Sequence, residues 1–373
     1  MKISELRKSI RISSVAVIVG LSFPVSAVEI NAGDVEASIY GFARLNVSYD
    51  LDDNRAVSTR AGTFSPADQD ITGHFGADVQ QSRLGVRVNH ASGLKVVVEG
   101  DFRGSGNSAG SLRMRHAYGV YEGVMIGRNW SNFNSFVGWT PTLDFDSLAG
   151  NAGSFNRSEQ VRYTTGPVSV ALENPSATII GGNAKTGTPA LTARVESASG
   201  SLKYSFAGLV NQLSSDDGTT DESQLAYGFF GAAGFSVTDS VSIQGAFTYT
   251  DGASSYLWRS GSNYYGASAY MNGDSLETIS GYGSQVGVSI DVGGGSSVKL
   301  GYGLARLDLD DAVSDGALTG ADAETNQNAF VNYTWTPVES VMLGVEYGFF
   351  DQETQAGDSS DARRLLFAAQ YNF

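Results

Sequence analysis

Residues 39–50 read IYGFARLNVSYD. Taken alternately, one set is Ile39, Gly41, Ala43, Leu45, Val47 and Tyr49, and the other is Tyr40, Phe42, Arg44, Asn46, Ser48 and Asp50. Successive side chains of a β-strand leave opposite faces, so a period of two reads as a strand. One face here is apolar throughout, and the other turns polar after its first two rings.

The same alternation returns at 81–91, 93–103, 111–121, 124–130, 160–165, 168–173, 191–197, 202–211, 225–235, 240–250, 278–291, 298–306, 327–335, 341–349 and 364–373, sixteen segments in all. No amphipathic helix of useful length competes with them. Tight turns at 91–93, 122–123, 166–167, 197–200 and 293–297 alternate with long polar segments at 51–80, 131–159, 174–190, 212–224, 251–277, 307–326 and 350–363. Short turns at one end and long loops at the other are the asymmetry of an outer-membrane barrel.

The charges decide which face points inward. Arg83 and Arg87 share one strand face, as do Lys95, Glu99, Asp101 and Arg103. A dry core would charge several kcal/mol for each such ion even when paired. A wet lumen avoids that cost, with the apolar face turned to lipid. The expected fold is therefore all-β: a 16-stranded antiparallel transmembrane β-barrel with short periplasmic turns and long extracellular loops.

Composition agrees. The 373 residues include 46 Gly, 17 Tyr and 19 Phe, but only 7 Pro and no Cys. Lys2, Arg7, Lys8 and Arg11 precede an apolar run at 14–23 and a Val25-Ser26-Ala27 end. That run is too short to span a bilayer and fits a secretory signal peptide, residues 1–27, leaving a barrel domain of 28–373. Processing removes four of 24 basic residues and one of 39 acidic ones, so the balance becomes 20 to 38, a net of −18. Such a charge argues against nucleic acid as a partner. Tyr333 and Trp335, and Tyr347 and Phe349, end apolar faces where a bilayer interface would hold aromatic rings. Leu365, Phe367, Ala369, Tyr371 and Phe373 share the last face, and a terminal aromatic is what the barrel-assembly machinery reads.

Catalysis has little support. The three histidines are His74, His90 and His116, and none sits in a recognisable Ser, Asp or Cys motif. Asp308, Asp310, Asp311 and Asp315 cluster in LDLDDAVSDG without the twelve-residue calcium-loop pattern, and read as a solvated acidic loop. Gly293-Gly294-Gly295 fits a turn and lacks the strand–loop–helix setting of a phosphate site. No cofactor or metal is expected.

The arginines are more informative. Arg44, Arg83, Arg87, Arg103, Arg113, Arg115 and Arg162 all fall on the polar parity of early strands. Residues 28–175 hold 12 basic against 16 acidic side chains, and 176–373 hold 8 against 22. Cations thus gather on one side of the barrel, in a ladder suited to carboxylate or phosphate contacts. Parity in SLRMRHAYGVY, 111–121, sends Arg113 and Arg115 into the pore with Ala117 and Gly119. It sends His116 outward with Leu112, Met114, Tyr118 and Val120. A histidine is expensive against lipid, so His116 is expected at a subunit interface. Loop 131–159 carries Phe133, Phe136, Trp139, Leu143, Phe145 and Phe155, which suggests folding back into the lumen. Asp144 and Asp146 would then face the arginines across a constriction.

Five stretches together resemble the DcaP-like outer-membrane porins: Gln81-Ser82-Arg83-Leu84-Gly85-Val86-Arg87, Leu112-Arg113-Met114-Arg115-His116-Ala117-Tyr118, Gly127-Arg128-Asn129-Trp130-Ser131-Asn132-Phe133, Thr142-Leu143-Asp144-Phe145 and Val161-Arg162-Tyr163-Thr164. They lie within about residues 38–175, and the remainder matches in strand rhythm and C-terminus. The resemblance implies a homotrimeric Gram-negative porin for small dicarboxylates and related anions, with its third loop in the pore. Some relatives carry a helical segment before the barrel, whereas about ten residues separate Val28 from the first strand here. The expected function is passive diffusion of small anions in a setting of outer-membrane lipid and lipopolysaccharide. The alternatives are a general-diffusion porin and, further off, a barrel hydrolase.

Overall fold

In the computed structural model the described residues are 28–52, 73–104, 110–262 and 264–373; the expected signal peptide and residues 53–72 of the first loop lie outside them. Sixteen antiparallel strands close into a barrel. They are β1 (Val35–Asp52), β2 (His74–Asp78 and Arg83–His90, interrupted at 79–82), β3 (Lys95–Gly104), β4 (Ser111–Tyr121), β5 (Val124–Trp130), β6 (Arg157–Thr165), β7 (Val168–Glu173) and β8 (Ala190–Ser199). The circuit continues through β9 (Leu202–Asp216), β10 (Asp221–Ser236), β11 (Val241–Asp251), β12 (Ser280–Gly293), β13 (Ser296–Leu307), β14 (Ala323–Val338), β15 (Val341–Thr354) and β16 (Ser359–Asn372).

Closure is made by β1, which pairs with β2 on one side and with β16 on the other. The segment Val28–Ala32, expected only as a short lead-in, forms a strand hairpinned to Val35–Ile39. It continues the line of β16 along β1, just past Phe373, whose backbone exchanges hydrogen bonds with Gly41 at 2.9 and 3.1 Å.

The outer face is apolar, as the alternation requires. Leu45, Tyr49, Leu84, Val86, Leu112, Met114, Ile126 and Val161 are all exposed on it. Two of the expected loops are shorter than their polarity suggested. Residues 212–216 and 221–224 extend β9 and β10, and 350–354 and 359–363 extend β15 and β16. Residues 74–78, expected as loop, pair with β1. In these extensions the strict apolar–polar alternation lapses while the ladder of hydrogen bonds continues.

The lumen is not uniformly wet. Toward the extracellular ends of β9–β15 the inner face is covered by apolar packing. One cluster holds Phe133, Leu209, Leu213, Phe230 and Tyr256, and a second holds Leu148, Leu257, Leu307, Phe330 and Phe350. Phe133 and Leu148 come from the connection 131–156, and Tyr256 and Leu257 from 252–279. Ile179 of 174–189 and Leu309 and Ala312 of 308–322 join the same clusters, so more than the one expected loop packs inward.

Candidate functional site

The site begins with a bulge in β4. Glu99 of β3 opposes His116, while the next residue, Gly100, opposes Met114, so Arg115 is an extra residue. Beyond it the parity of β4 reverses. His116 and Tyr118 lie opposite Glu99 and Val97, which are 8% and 4% exposed on the inner face. Ala117 and Gly119 lie opposite Val98 and Val96 on the outer one. His116, expected on the outward face, instead points into the lumen and is 8% exposed. Its Nε2 is 3.3 Å from Nε of Arg157 and 3.9 Å from Glu99.

The bulge concentrates arginines around two carboxylates. Arg115 donates from Nε to Glu99 and from Nη1 to Asp101, both at 2.8 Å. Arg113 grips Asp101 with two bonds of 3.0 and 2.7 Å. Arg83 lies 3.3 Å from Glu99, which also accepts from the Tyr40 hydroxyl at 3.1 Å. Asp101 is fully buried, and Arg115 is 5% exposed. Bidentate geometry of this kind holds side chains in one place.

The seven expected arginines divide by access to water. Arg44, Arg103 and Arg115 are buried at 7%, 5% and 5% exposure. Arg44 donates to Asn46 at 2.7 Å and to the Leu143 carbonyl at 3.0 Å, so it ties the inward loop to β1. Arg103 lies 4.3 Å over the Phe145 ring and 3.9 Å from Asp78. Arg83, Arg87, Arg113 and Arg162, with Lys95, keep contact with water. Arg87 sits 5.1 Å over the Tyr40 ring, nearer the periplasmic turns than Arg83. Arg157, missed because its strand begins three residues earlier than its alternation shows, stacks 3.6 Å over Trp130.

The opposite side of this passage is loop 131–156. Backbone amides of Leu143 and Asp144 donate to the two oxygens of Glu346, each at 2.7 Å. Asn328 clamps the amide of Ala149 and the carbonyl of Ser147, and Gln285 donates to the Gly138 carbonyl at 3.0 Å. Gly138 presses on the Gly245 carbonyl and Gly150 on the backbones of Ser284 and Leu304, where a Cβ would collide. Gly150 also has φ +66, a conformation that side-chain-bearing residues resist. The inward connection 252–279 holds this loop from above: Trp258 donates from Nε1 to the Asp146 carbonyl at 2.8 Å, and Arg259 lies 3.8 Å from its carboxylate.

This packing corrects the expectation for Asp144 and Asp146. Both are buried within the loops, 3% and 1% exposed, rather than lining the passage opposite the arginines. Phe145, between them, is the residue turned toward Arg103 and Arg113. Burial, reinforced by Asp146, pushes the Asp144 carboxyl up to about 7. His90 bonds Ser92 at 2.8 Å in a periplasmic turn. Among the described residues no group of three or more His, Cys, Asp or Glu could hold a metal. Asp315 instead accepts from Tyr270 and Asn272, both at 2.8 Å.

A closed 16-stranded barrel with an apolar belt, a charged inner wall and loops folded inside it is a porin of the Gram-negative outer membrane. The family model described as DcaP outer membrane protein matches residues 23–373, and the chain belongs to that family. It is similar to the outer membrane channel DcaP of Acinetobacter baumannii, with 28% identity, a TM-score of 0.82, and coverage of 92% of this chain and 99% of that one. The fold alone is shared with two more distant structures. For the anion-selective porin of Comamonas acidovorans the identity is 15%, the TM-score 0.57 and the coverage 91% and 100%. For the trimer form of OmpT of Vibrio cholerae the identity is 15%, the TM-score 0.57 and the coverage 91% and 99%. No curated protein sequence matches this chain.

Proposed function

We propose that this porin passes small anionic solutes, dicarboxylates among them, by diffusion along the wall formed by β2–β6, and that it has no catalytic activity. One observation carries the reading. Arg83, Arg87, Arg113, Arg162 and Lys95 keep water contact down a single wall, while Glu99 and Asp101 are occupied by Arg83, Arg113 and Arg115. The descent from Arg113 to Arg87 and Arg162 offers successive carboxylate contacts, and Phe145 narrows the way beside them. A ladder of this kind binds a solute weakly at many points, which lets it leave as well as enter.

The signal peptide is proposed to be removed after Ala27, and the barrel to work as a homotrimer, the form named for OmpT of Vibrio cholerae. Its C-terminal Phe373 is the proposed contact for the assembly machinery, and lipopolysaccharide the proposed outer-leaflet neighbour. A general-diffusion porin is the second reading, favoured by the pairing of Arg83, Arg103, Arg113 and Arg115 with carboxylates. Reversal potentials in a salt gradient, with and without succinate, separate the two. Anion preference with block by succinate supports the proposal; equal permeation of sugars and dicarboxylates of one size supports the second reading.

A further inference from the structure

On the wall away from the arginines, at the periplasmic mouth, the barrel has a cavity of about 520 Å³. Nine of its sixteen lining residues are serines or threonines, and Val241, Ile290 and Met342 add apolar surface beside them. Ser242 of β11, Ser289 of β12, Ser297 of β13, and Thr334 and Thr336 of β14 line it together with Lys299. The alternation places Ser242, Ser289, Ser297, Lys299 and Thr334 on the inner face, since each opposes another of the set across a strand pair.

Lys299 is the unusual member. It is 4% exposed, and no described carboxylate lies within 4 Å of it. Its ammonium donates to Ser297 Oγ at 2.6 Å and to Thr334 Oγ1 at 3.1 Å. The inner-face carboxylate across the sheet, Glu346, is taken up by the amides of Leu143 and Asp144 and by Asn332. A buried ammonium is costly unless paired, and one with three N–H donors and two hydroxyl partners has one donor left for an anionic oxygen.

We propose that this cavity is a binding site for a hydroxylated monocarboxylate, a sugar acid in chemical class. The carboxylate meets Lys299, and the hydroxyl chain is read by the serine and threonine ring. Asp239 and Asp291 line the same cavity, and their charges disfavour a second carboxylate on the solute. The volume suits a small organic molecule. The site is separate from the arginine wall and distinguishes its solute by hydroxyls as well as charge. It rests on the anion-channel reading only for how the solute arrives.

Calorimetric titration of the detergent-folded barrel with D-gluconate, hexanoate and sorbitol tests it. Saturable gluconate binding is expected, with hexanoate and sorbitol each weaker by roughly tenfold or more, the scale of a lost hydrogen bond to a charge. Lys299→Met should weaken gluconate by a similar factor. Ser242→Phe, which fills the cavity and leaves Lys299 in place, should abolish binding and serves if the first variant does not fold. Equal binding of sorbitol overturns the role of Lys299, and equal binding of hexanoate overturns that of the hydroxyls. Unchanged gluconate affinity in Ser242→Phe removes the site altogether. Binding is read without conduction, so a cation-preferring channel that still binds gluconate sinks the transport reading and leaves this site standing.

Discussion

Arg115 and His116 are adjacent in the chain, and both point into the lumen. An unbroken strand would have sent one of them to lipid. The bulge between them lets β4 supply Arg113, Arg115, His116 and Tyr118 to one face. It also brings Arg115 against both Glu99 and Asp101. Bulges of this kind re-aim side chains at functional rims.

Asp101 is the pivot of that arrangement, since it takes bonds from Arg113 and Arg115 while fully buried. Asp101→Asn leaves those cations without their shared charge and should destabilise the barrel by about 3–5 kcal/mol. Heat-modifiability on gels checks this: the folded band should be lost at a clearly lower temperature than in the wild type. An unchanged transition would show that solvent in the lumen compensates the loss.

Arg87 and Arg162 face water on the inner wall, and no carboxylate lies within ion-pair distance of either among the described residues. Replacing both with Gln should leave stability nearly unaltered and reduce anion preference, because rim charges act through the local field. The reversal potential should move toward the cation side, and the difference should shrink in high salt. A potential that does not move assigns selectivity elsewhere.

The loop 131–156 reaches the wall through glycine. Gly150→Val places side-chain carbons against the backbones of Ser284 and Leu304 in a left-handed conformation. The loop should detach, single-channel conductance should rise, and proteolysis should nick it from the extracellular side. A variant that keeps wild-type conductance would show that the loop docks without this contact.

Asp144 gives the loop a dependence on pH. Its folded-state value of about 7 stands above the ordinary 3.8, so its neutral form suits the site. The group therefore contributes stability at low pH, which is lost as pH rises from about 4 through about 7. The groups facing it are Asp146, Glu346, Arg44, Arg259 and Arg364. Loop detachment, read as conductance noise, should increase across that window in the wild type and less steeply in Asp144→Asn, where Glu346 still holds the loop amides. Equal profiles in the two proteins would place the titration on another group.

Much of this molecule was legible before folding. Sixteen alternating segments such as 39–50 could only be strands, and the charges on Arg83, Arg87, Glu99 and Asp101 could only sit on the inner side of a barrel. Those conclusions need local information alone: a period of two, and the cost of an ion against lipid or a dry core. The side on which cations gather followed as well, because strand order around a barrel is chain order.

Tertiary structure decided what no periodicity carries. One extra residue in β4 reversed the parity of everything after Arg115, and the composition of 111–121 bears no mark of it. Asp144 and Asp146 went into the loop packing, and Phe145 turned to the arginines, because Glu346, Asn328 and Trp258 arrive from strands and a loop far along the chain. The separation of Arg44, Arg103 and Arg115 from the water-facing arginines depends on which carboxylates and carbonyls reach them. Alternation says which face a side chain leaves by; the partners waiting there exist only once the barrel has closed.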